Sequence, residues 1–426
     1  MRFDEYRNLD GVALAKLVAD GEVTAAELLE LAIARAEAVN PALNGLIIPL
    51  YDQAREQAAG SLSGPLAGVP MLTKDLFQEI GGAPNYQGNK ALKQADNHAA
   101  VDSELVRRWK AAGVVLFGRT NTPEFGAKGI TEPEAFGATR NPWNTEHTPG
   151  GSSGGSAALV AAGVVPFAGA NDGGGSIRIP AGCCGLFGLK PGRGRTPWGP
   201  NFSEAMHGIS MNHVVTRSVR DSALLLDATQ GEEVGSLFRI APPERSYLSE
   251  LESDPKPLRI AYSTTSPIDT EVDPEAVAAV EDAARLLESL GHKVEQASPK
   301  MDMLAMSMDW LSMWFANCAA NVDWVKEQTG CGNEGFELDT LAMAAFGHAT
   351  SAPDYVRCYQ RWQGYSRALA EFHQQYDLWL TPTLALQPAR IGASETPAWQ
   401  QQMLKVILKV GAEKLVMKTG LVEQMV

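Results

Sequence analysis

Two clusters of glycine and serine hold most of the chemistry this sequence could perform. Residues 150–156 read GGSSGGS and residues 171–178 read NDGGGSIR. Where residues lack a Cβ, backbone N–H groups can turn inward without obstruction. A run such as Gly173-Gly174-Gly175-Ser176 can then form a concave nest of amide donors around a developing oxyanion, with Ser176 at its end placed as a nucleophile. Taken alone, the first cluster reads as a flexible loop. It lacks the G-x-x-x-x-G-K-[ST] order of a Walker A loop. No acid and histidine can be assembled around it as in a G-x-S-x-G nucleophile elbow. The seven histidines show no metal-ligand spacing, so no metal is expected, and His213 reads as structural.

These residues need elements to position them. Thr24 and Glu27 form a T-x-x-E capping box ahead of an Ala/Leu-rich helix that is expected to end at Asn40-Pro41. Short apolar runs at 46–50, 69–76, 114–118 and 164–170 read as strands, and the second delivers Lys74 at its end. Residues 102–112 and 157–163 read as helices, with a long Gly/Pro/Thr/Asn-rich loop between about 119 and 151. Strands at 258–263, 292–297 and 377–383 alternate with helices at 274–290, 300–328 and 353–376. This alternation predicts an α/β fold, a mixed twisted β-sheet core covered by helices on both faces. One domain over 1–426 is expected, with a possible loop joining two halves at 230–257.

Composition narrows the function. Hydrophobic residues make up 45% of the chain and charged residues 20%, as in ordinary globular proteins. A net charge of −14 is wrong for nonspecific nucleic-acid binding, which needs cations to displace counterions from phosphates. Five cysteines without a C-x-x-C pair argue against a disulfide framework or zinc ribbon, and Cys183 and Cys184 read as core residues. The start MRFDEYRNLD has no apolar signal region, and no apolar run is long enough to span a bilayer. The expected setting is cytoplasmic, with no membrane and no nucleic-acid partner.

The two clusters together, in order and with Ser152 and Ser176 separated by one helix-like and one strand-like segment, resemble the amidase-signature family. GPLAGVPMLTKD at 64–75, TNTPEFG at 120–126, NPWN at 141–144, TRSVRDSALLLDA at 216–228 and YDLWLTPT at 376–383 fit the same pattern. The resemblance implies an amide hydrolase with a Ser-Ser-Lys triad and no cofactor. Ser176 matches the nucleophile, Ser152 a bridging serine preceded by a cis peptide bond, and Lys74 the general base. The amides of Gly173, Gly174, Gly175 and Ser176 match the oxyanion hole. Ser153 would support the network, and Asp172 and Arg178 would hold the loop by an ion pair. Outside this context Lys74-Asp75 would read as a surface pair. A lysine can act as base only when uncharged, and burial, which disfavours the ammonium, supplies that condition. Ser152 would relay the Ser176 proton to Lys74 and then return it to the leaving nitrogen.

Two departures refine the expectation. Where much of the family has G-T-D-[IT]-G-G-S, this chain has Ala170-Asn171-Asp172-Gly173-Gly174-Gly175-Ser176. With CCGLFGLKPGRGR after it and MWFANCAAN at 313–321, this is most similar to the branch of 6-aminohexanoate cyclic-dimer hydrolase, which implies small linear or cyclic amides, including nylon oligomers. Asn171 and Cys318 are expected to face the substrate, and the Met/Trp-rich segment 303–324 reads as a core helix or the lining of an acyl pocket. The C-terminal part, a helical stretch ending at Val426, looks shortened relative to the family. The alternative is an amidotransferase A-type subunit that releases ammonia for a partner. The oligomeric state stays open, a homodimer included.

Overall fold

Thr24 caps its helix as the sequence directs: its hydroxyl accepts from the Glu27 amide, and the Glu27 carboxylate accepts from the Thr24 amide at 2.8 Å. The helix does not stop at Asn40-Pro41. It runs over Ala25–Leu43, because a proline in the last turn removes a single hydrogen bond; Asn44, at φ 50°, ends it. The computed structural model describes residues 1–410, so the C-terminal stretch from 411 to Val426 lies outside the described residues. The chain divides into two compact units, Met1–Ser253 with Pro388–Ser394, and Asp254–Gln387 with the residues from Glu395 on.

The first unit is built on six strands: β1 (Leu46–Pro49), β2 (Pro70–Lys74), β3 (Val115–Thr120), β4 (Phe167–Asp172), β5 (Phe187–Gly188) and β6 (Met211–Thr216). Their order is β1-β3-β2-β4-β6-β5. The sheet is mixed: β2 runs parallel to β3 and β4, while β1, β6 and β5 pair antiparallel with their neighbours. Every residue of β2, β3, β4 and β6 is buried, which requires cover on both faces of the sheet. Leu28, Leu29 and Ile33 of the first long helix, Trp109 of helix Glu104–Ala111, Leu159 and Val160 of helix Gly154–Ala161, and Leu225 of helix Val219–Thr229 close the core around Met71, Leu72, Phe117 and Phe167.

The first glycine-serine cluster is not a flexible loop. It forms the head of helix Gly154–Ala161, which starts three residues earlier than the apolar pattern suggests. Its glycines serve close approach: a Cβ on Gly155 would lie 2.5 Å from the Asn121 amide nitrogen, and one on Gly154 2.4 Å from Thr131 Oγ1. Helix Arg178–Cys184, absent from the sequence reading, begins just after Ser176 with Ile177 as its N-cap. In the second unit β7 (Arg259–Tyr262), β8 (Lys293–Gln296) and β9 (Leu378–Leu380) form a parallel sheet in the order β8-β7-β9. Helices Pro274–Ser289, Met303–Thr329, Leu338–Ala349 and Ala352–Phe372 accompany it. No helix among the described residues is long and apolar enough to cross a membrane.

Candidate active site

Lys74 is the last residue of β2, and its side chain is completely buried. Its Nζ lies 2.6 Å from Ser152 Oγ and 2.7 Å from Asn171 Oδ1. Its backbone is held from two sides. The Lys74 amide donates to Gln78 Oε1 at 2.8 Å, and Arg119 donates to the Lys74 carbonyl at 3.1 Å. Arg119 in turn forms a fully buried ion pair with Asp75 at 2.9 Å. Burial pushes the Asp75 carboxyl up to about 6 against the pull of this guanidinium. For Lys74 burial acts in the opposite sense. It drives the amine well below the ordinary lysine range, opposed by the negative charge of Asp172.

Ser152 reaches this amine from the head of the Gly154–Ala161 helix, and the Gly151-Ser152 peptide bond is cis. The turn tolerates no larger residues beside it. A Cβ on Gly151 would fall 2.3 Å from the Ile130 carbonyl oxygen. Gly126, at φ +68°, would bring one within 3.1 Å of Ser152 Oγ. Ser153 Oγ lies 3.4 Å from both the amide nitrogen and the carbonyl oxygen of Asn171, tying the helix head to β4.

The turn after β4 is organised by Asp172. Its carboxylate accepts from the amides of Gly175 (2.7 Å) and Ile177 (3.2 Å) and takes a two-pronged ion pair from Arg178, at 2.8 and 2.9 Å. Burial pushes this carboxyl up, but Arg178 and the amides outweigh it and hold it below the usual carboxylate range. The Gly175 N–H, expected at the oxyanion hole, here donates to Asp172 Oδ1. The amides of Gly174 and Ser176 have no hydrogen-bond partner among the described residues, and Gly173 lies beside them. Ser176 itself is half-buried, and its hydroxyl makes no hydrogen bond among the described residues.

Asn171, expected to face the substrate, lies against Lys74. It is buried, its Oδ1 faces Lys74, and its Nδ2 donates to the Leu76 carbonyl at 2.9 Å, so both ends of the amide are engaged within the protein. Cys318 belongs to the second unit, where it is buried on helix Met303–Thr329 with its thiol donating to the Thr340 carbonyl at 3.7 Å. His213 on β6 is buried against Ser222 Oγ (2.9 Å), and burial lowers it to about 3, so it is a neutral ring of the core. Cys184 is buried and Cys183 half-buried; burial raises both thiols, Cys183 to about 11. Among the described residues no three His, Cys, Asp or Glu side chains gather as metal ligands would.

Gln78 is the supporting residue that the sequence conceals. Its Oε1 holds the Lys74 amide while its Nε2 donates to the Ala170 carbonyl at 3.0 Å, clamping β2 to β4 at the level of the amine. The space it occupies exists because residue 169 is glycine: a Cβ there would lie 2.1 Å from Gln78 Oε1. Together these contacts present an amine stripped of solvent, a hydroxyl against it, and a second hydroxyl beside unpaired amides. Such a set can remove a proton from a serine and receive negative charge on a carbonyl oxygen.

The protein family described as Amidase matches residues 27–420 of the chain. A 6-aminohexanoate-cyclic-dimer hydrolase of Pseudomonas sp. (strain NK87) is 39% identical over 390 residues, which cover 90% of this chain and 79% of that protein. A solved structure of 6-aminohexanoate cyclic dimer hydrolase aligns with a TM-score of 0.87 at 36% identity, over 95% of this chain and 88% of the other. A bacterial aryl acylamidase of the amidase signature enzymes aligns with a TM-score of 0.84 at 30% identity, over 92% and 83% of the two chains.

Proposed function

The chain belongs to the amidase-signature family and is an amide hydrolase, and from that premise we propose that Ser176 is its nucleophile and Lys74, acting through Ser152, its base. The observation that carries this reading is the contact of 2.6 Å between a wholly buried lysine amine and Ser152 Oγ. An exposed lysine would be an ammonium at neutral pH and could accept nothing. A lysine whose pKa burial has lowered offers a lone pair, and the serine beside it can donate into that lone pair while taking the proton of a second serine.

In the proposed sequence Ser176 Oγ attacks the amide carbonyl as its proton passes to Ser152 and the Ser152 proton passes to Lys74. The oxyanion meets the amides of Gly174 and Ser176, with Gly173 alongside. The C–N bond then breaks while the same proton returns through Ser152 to the departing nitrogen, which is a poor leaving group unless protonated. This leaves an acyl ester on Ser176. Water attacks it by the reverse relay and releases the acid. Asp172, Arg178 and Ser153 keep the turn and helix head in place and exchange no proton with substrate.

The substrate class we propose is small linear or cyclic amides, led by the 6-aminohexanoate cyclic dimer. The support is the extent of similarity to cyclic-dimer hydrolases, 39% identity over most of the chain. The family match runs through residues of both compact units, and the setting we propose is cytoplasmic. The test is incubation of the purified full chain with the cyclic dimer, read by the new amine, and with linear amides such as hexanamide, read by released ammonia. Hydrolysis without any added protein, lost in Ser176→Ala, is the expected result. Hydrolysis strictly dependent on a second subunit would instead make the chain an amidotransferase component.

A further inference from the structure

We infer that Asn171 is a positioning residue that aims the lone pair of Lys74 at Ser152 and, being uncharged, sets the pH range in which the site works. The inference rests on the base assigned to Lys74 above and adds a residue to it. An uncharged amine has two N–H bonds and one lone pair. Unless something fixes its rotation, the lone pair points toward Ser152 only part of the time. Asn171 Oδ1, 2.7 Å from Nζ, accepts one of those N–H bonds. Which end of the Asn171 amide faces the lysine is settled by Leu76, whose carbonyl requires the NH₂ end at 2.9 Å. The backbone of Asn171 is held in turn by Ser153 and by its register opposite Asn212 of β6. With one N–H tied to this acceptor, the lone pair is free to face Ser152 Oγ at 2.6 Å.

The choice of amide over carboxylate matters as much as the contact. The charged and titratable groups around Lys74 come from several elements. Just beyond the end of its own strand Asp75 is paired with Arg119 of β3, and further on Glu79 is buried. Glu124, in the turn Glu124–Gly126, accepts from Asn89. His213 of β6 is bonded to Ser222, and Asp172 of β4 is held by Arg178. Asp172 is the one whose charge bears on the amine, and it favours the ammonium. A carboxylate at 171 would add a second negative charge in direct contact and hold the lysine protonated. Asparagine gives the same acceptor geometry without that charge.

The test is the pH dependence of Ser176 labelling by a fluorophosphonate, which reads nucleophile activation without knowledge of the natural substrate. Rates are measured against probe concentration so that kinact and KI separate. Asn171→Asp should move the acid limb of kinact upward by about 1–3 pH units, as a contacting opposite charge does, with activity recovered at high pH. Asn171→Leu, which covers the case of a misfolded Asp variant, should lower kinact roughly tenfold or more across the range, within the span of general-base effects, with KI little changed. Both variants keeping the wild-type limb and kinact while KI rises would overturn the inference and make Asn171 a substrate contact. Lys74→Ala belongs in the same series. If it labels like wild type, the base assignment itself fails. If it is dead while Asn171→Asp titrates like wild type, only the present inference fails.

Discussion

Whether Lys74 is held uncharged can be read from stability as well as from rate, through Lys74→Met. Methionine keeps the stem and removes the amine. In the folded protein burial pulls the lysine well below its ordinary value, while in the unfolded chain it titrates near about 10.4. Between those two values the unfolded chain holds one proton more than the folded protein. This single group therefore makes stability rise with pH at about 1.4 kcal/mol per pH unit across that window. The contribution is lost progressively as pH falls toward the lowered folded value, below which both states are protonated and the slope vanishes. Methionine binds no proton in either state, so the variant lacks the slope. It also leaves Ser152 Oγ and Asn171 Oδ1 without the amine, at a cost of about 1–3 kcal/mol each. That offset shifts the variant's curve vertically and leaves the difference in slope intact. The assay is guanidinium unfolding of both full chains at intervals from about pH 6 to about pH 10, following the transition of the unit that contains β2. Wild type should gain on the variant by about 1.4 kcal/mol per unit over the window. Parallel curves would refute the reasoning, because they would mean that the lysine titrates alike in both states.

Three further outcomes follow from the same geometry. Ser176→Ala should abolish amide hydrolysis and fluorophosphonate labelling yet move stability by only about 0.5 kcal/mol, because its hydroxyl is half-buried and bonded to no described residue; calorimetry beside the rate assay checks this. Gly169→Ala should destabilise by about 2–4 kcal/mol and lower activity, since its Cβ would displace Gln78 and break both arms of the clamp; denaturant unfolding reads it, and a neutral result would remove Gln78 from the account. Arg178→Ala should make the site more acid-labile. Asp172 is held below its ordinary range in part by Arg178, so the stabilisation from its charge persists until pH falls through that lowered value. Without the guanidinium the loss begins at higher pH, as residual labelling after incubation at graded acid pH would show.

Much of this was legible in the sequence, for identifiable reasons. The Thr24–Glu27 box, the strand ending at Lys74 and the buried strand now seen over Val115–Thr120 are local patterns, and local patterns survive tertiary context well. What escaped depends on contacts between distant segments. Helix Arg178–Cys184 contains Pro180 and Gly182, which argue against a helix by propensity; proline is tolerated there because it sits in the first turn. Helix Leu338–Ala349 carries Gly347, and the reason for that glycine is visible only in three dimensions: a Cβ would lie 2.1 Å from the Phe315 carbonyl oxygen. Gln78 offered no signal, since its Nε2 partner is the carbonyl of Ala170, 92 residues away, and the room for it comes from the neighbouring Gly169. Asn171 was visible as a departure from the family pattern, but its contact with Lys74 was not.

The site can be traced to one strand pairing. β2 and β4 are parallel neighbours with Leu72 opposite Ala168, so both chains exit at the same edge of the sheet. Lys74 lies two residues beyond that register point, at the end of β2. Asn171 lies three residues beyond it near the end of β4, and Ser176 follows in the turn. Helix Gly154–Ala161 leads into β4 and packs against it, which puts the helix head at the edge where β4 ends and brings Ser152, two residues ahead of that head, to the same place. Lys74, Ser152 and Ser176, which we propose as base, relay and nucleophile, thus come from three segments at the carboxyl edge of adjacent parallel strands, the usual location for ligands in sheets of this kind. Their separation in sequence imposes little geometric demand of its own. The demand falls on the register, because a slip of one residue between β2 and β4 would turn Lys74 to the opposite face and take its amine away from Ser152 and Asn171.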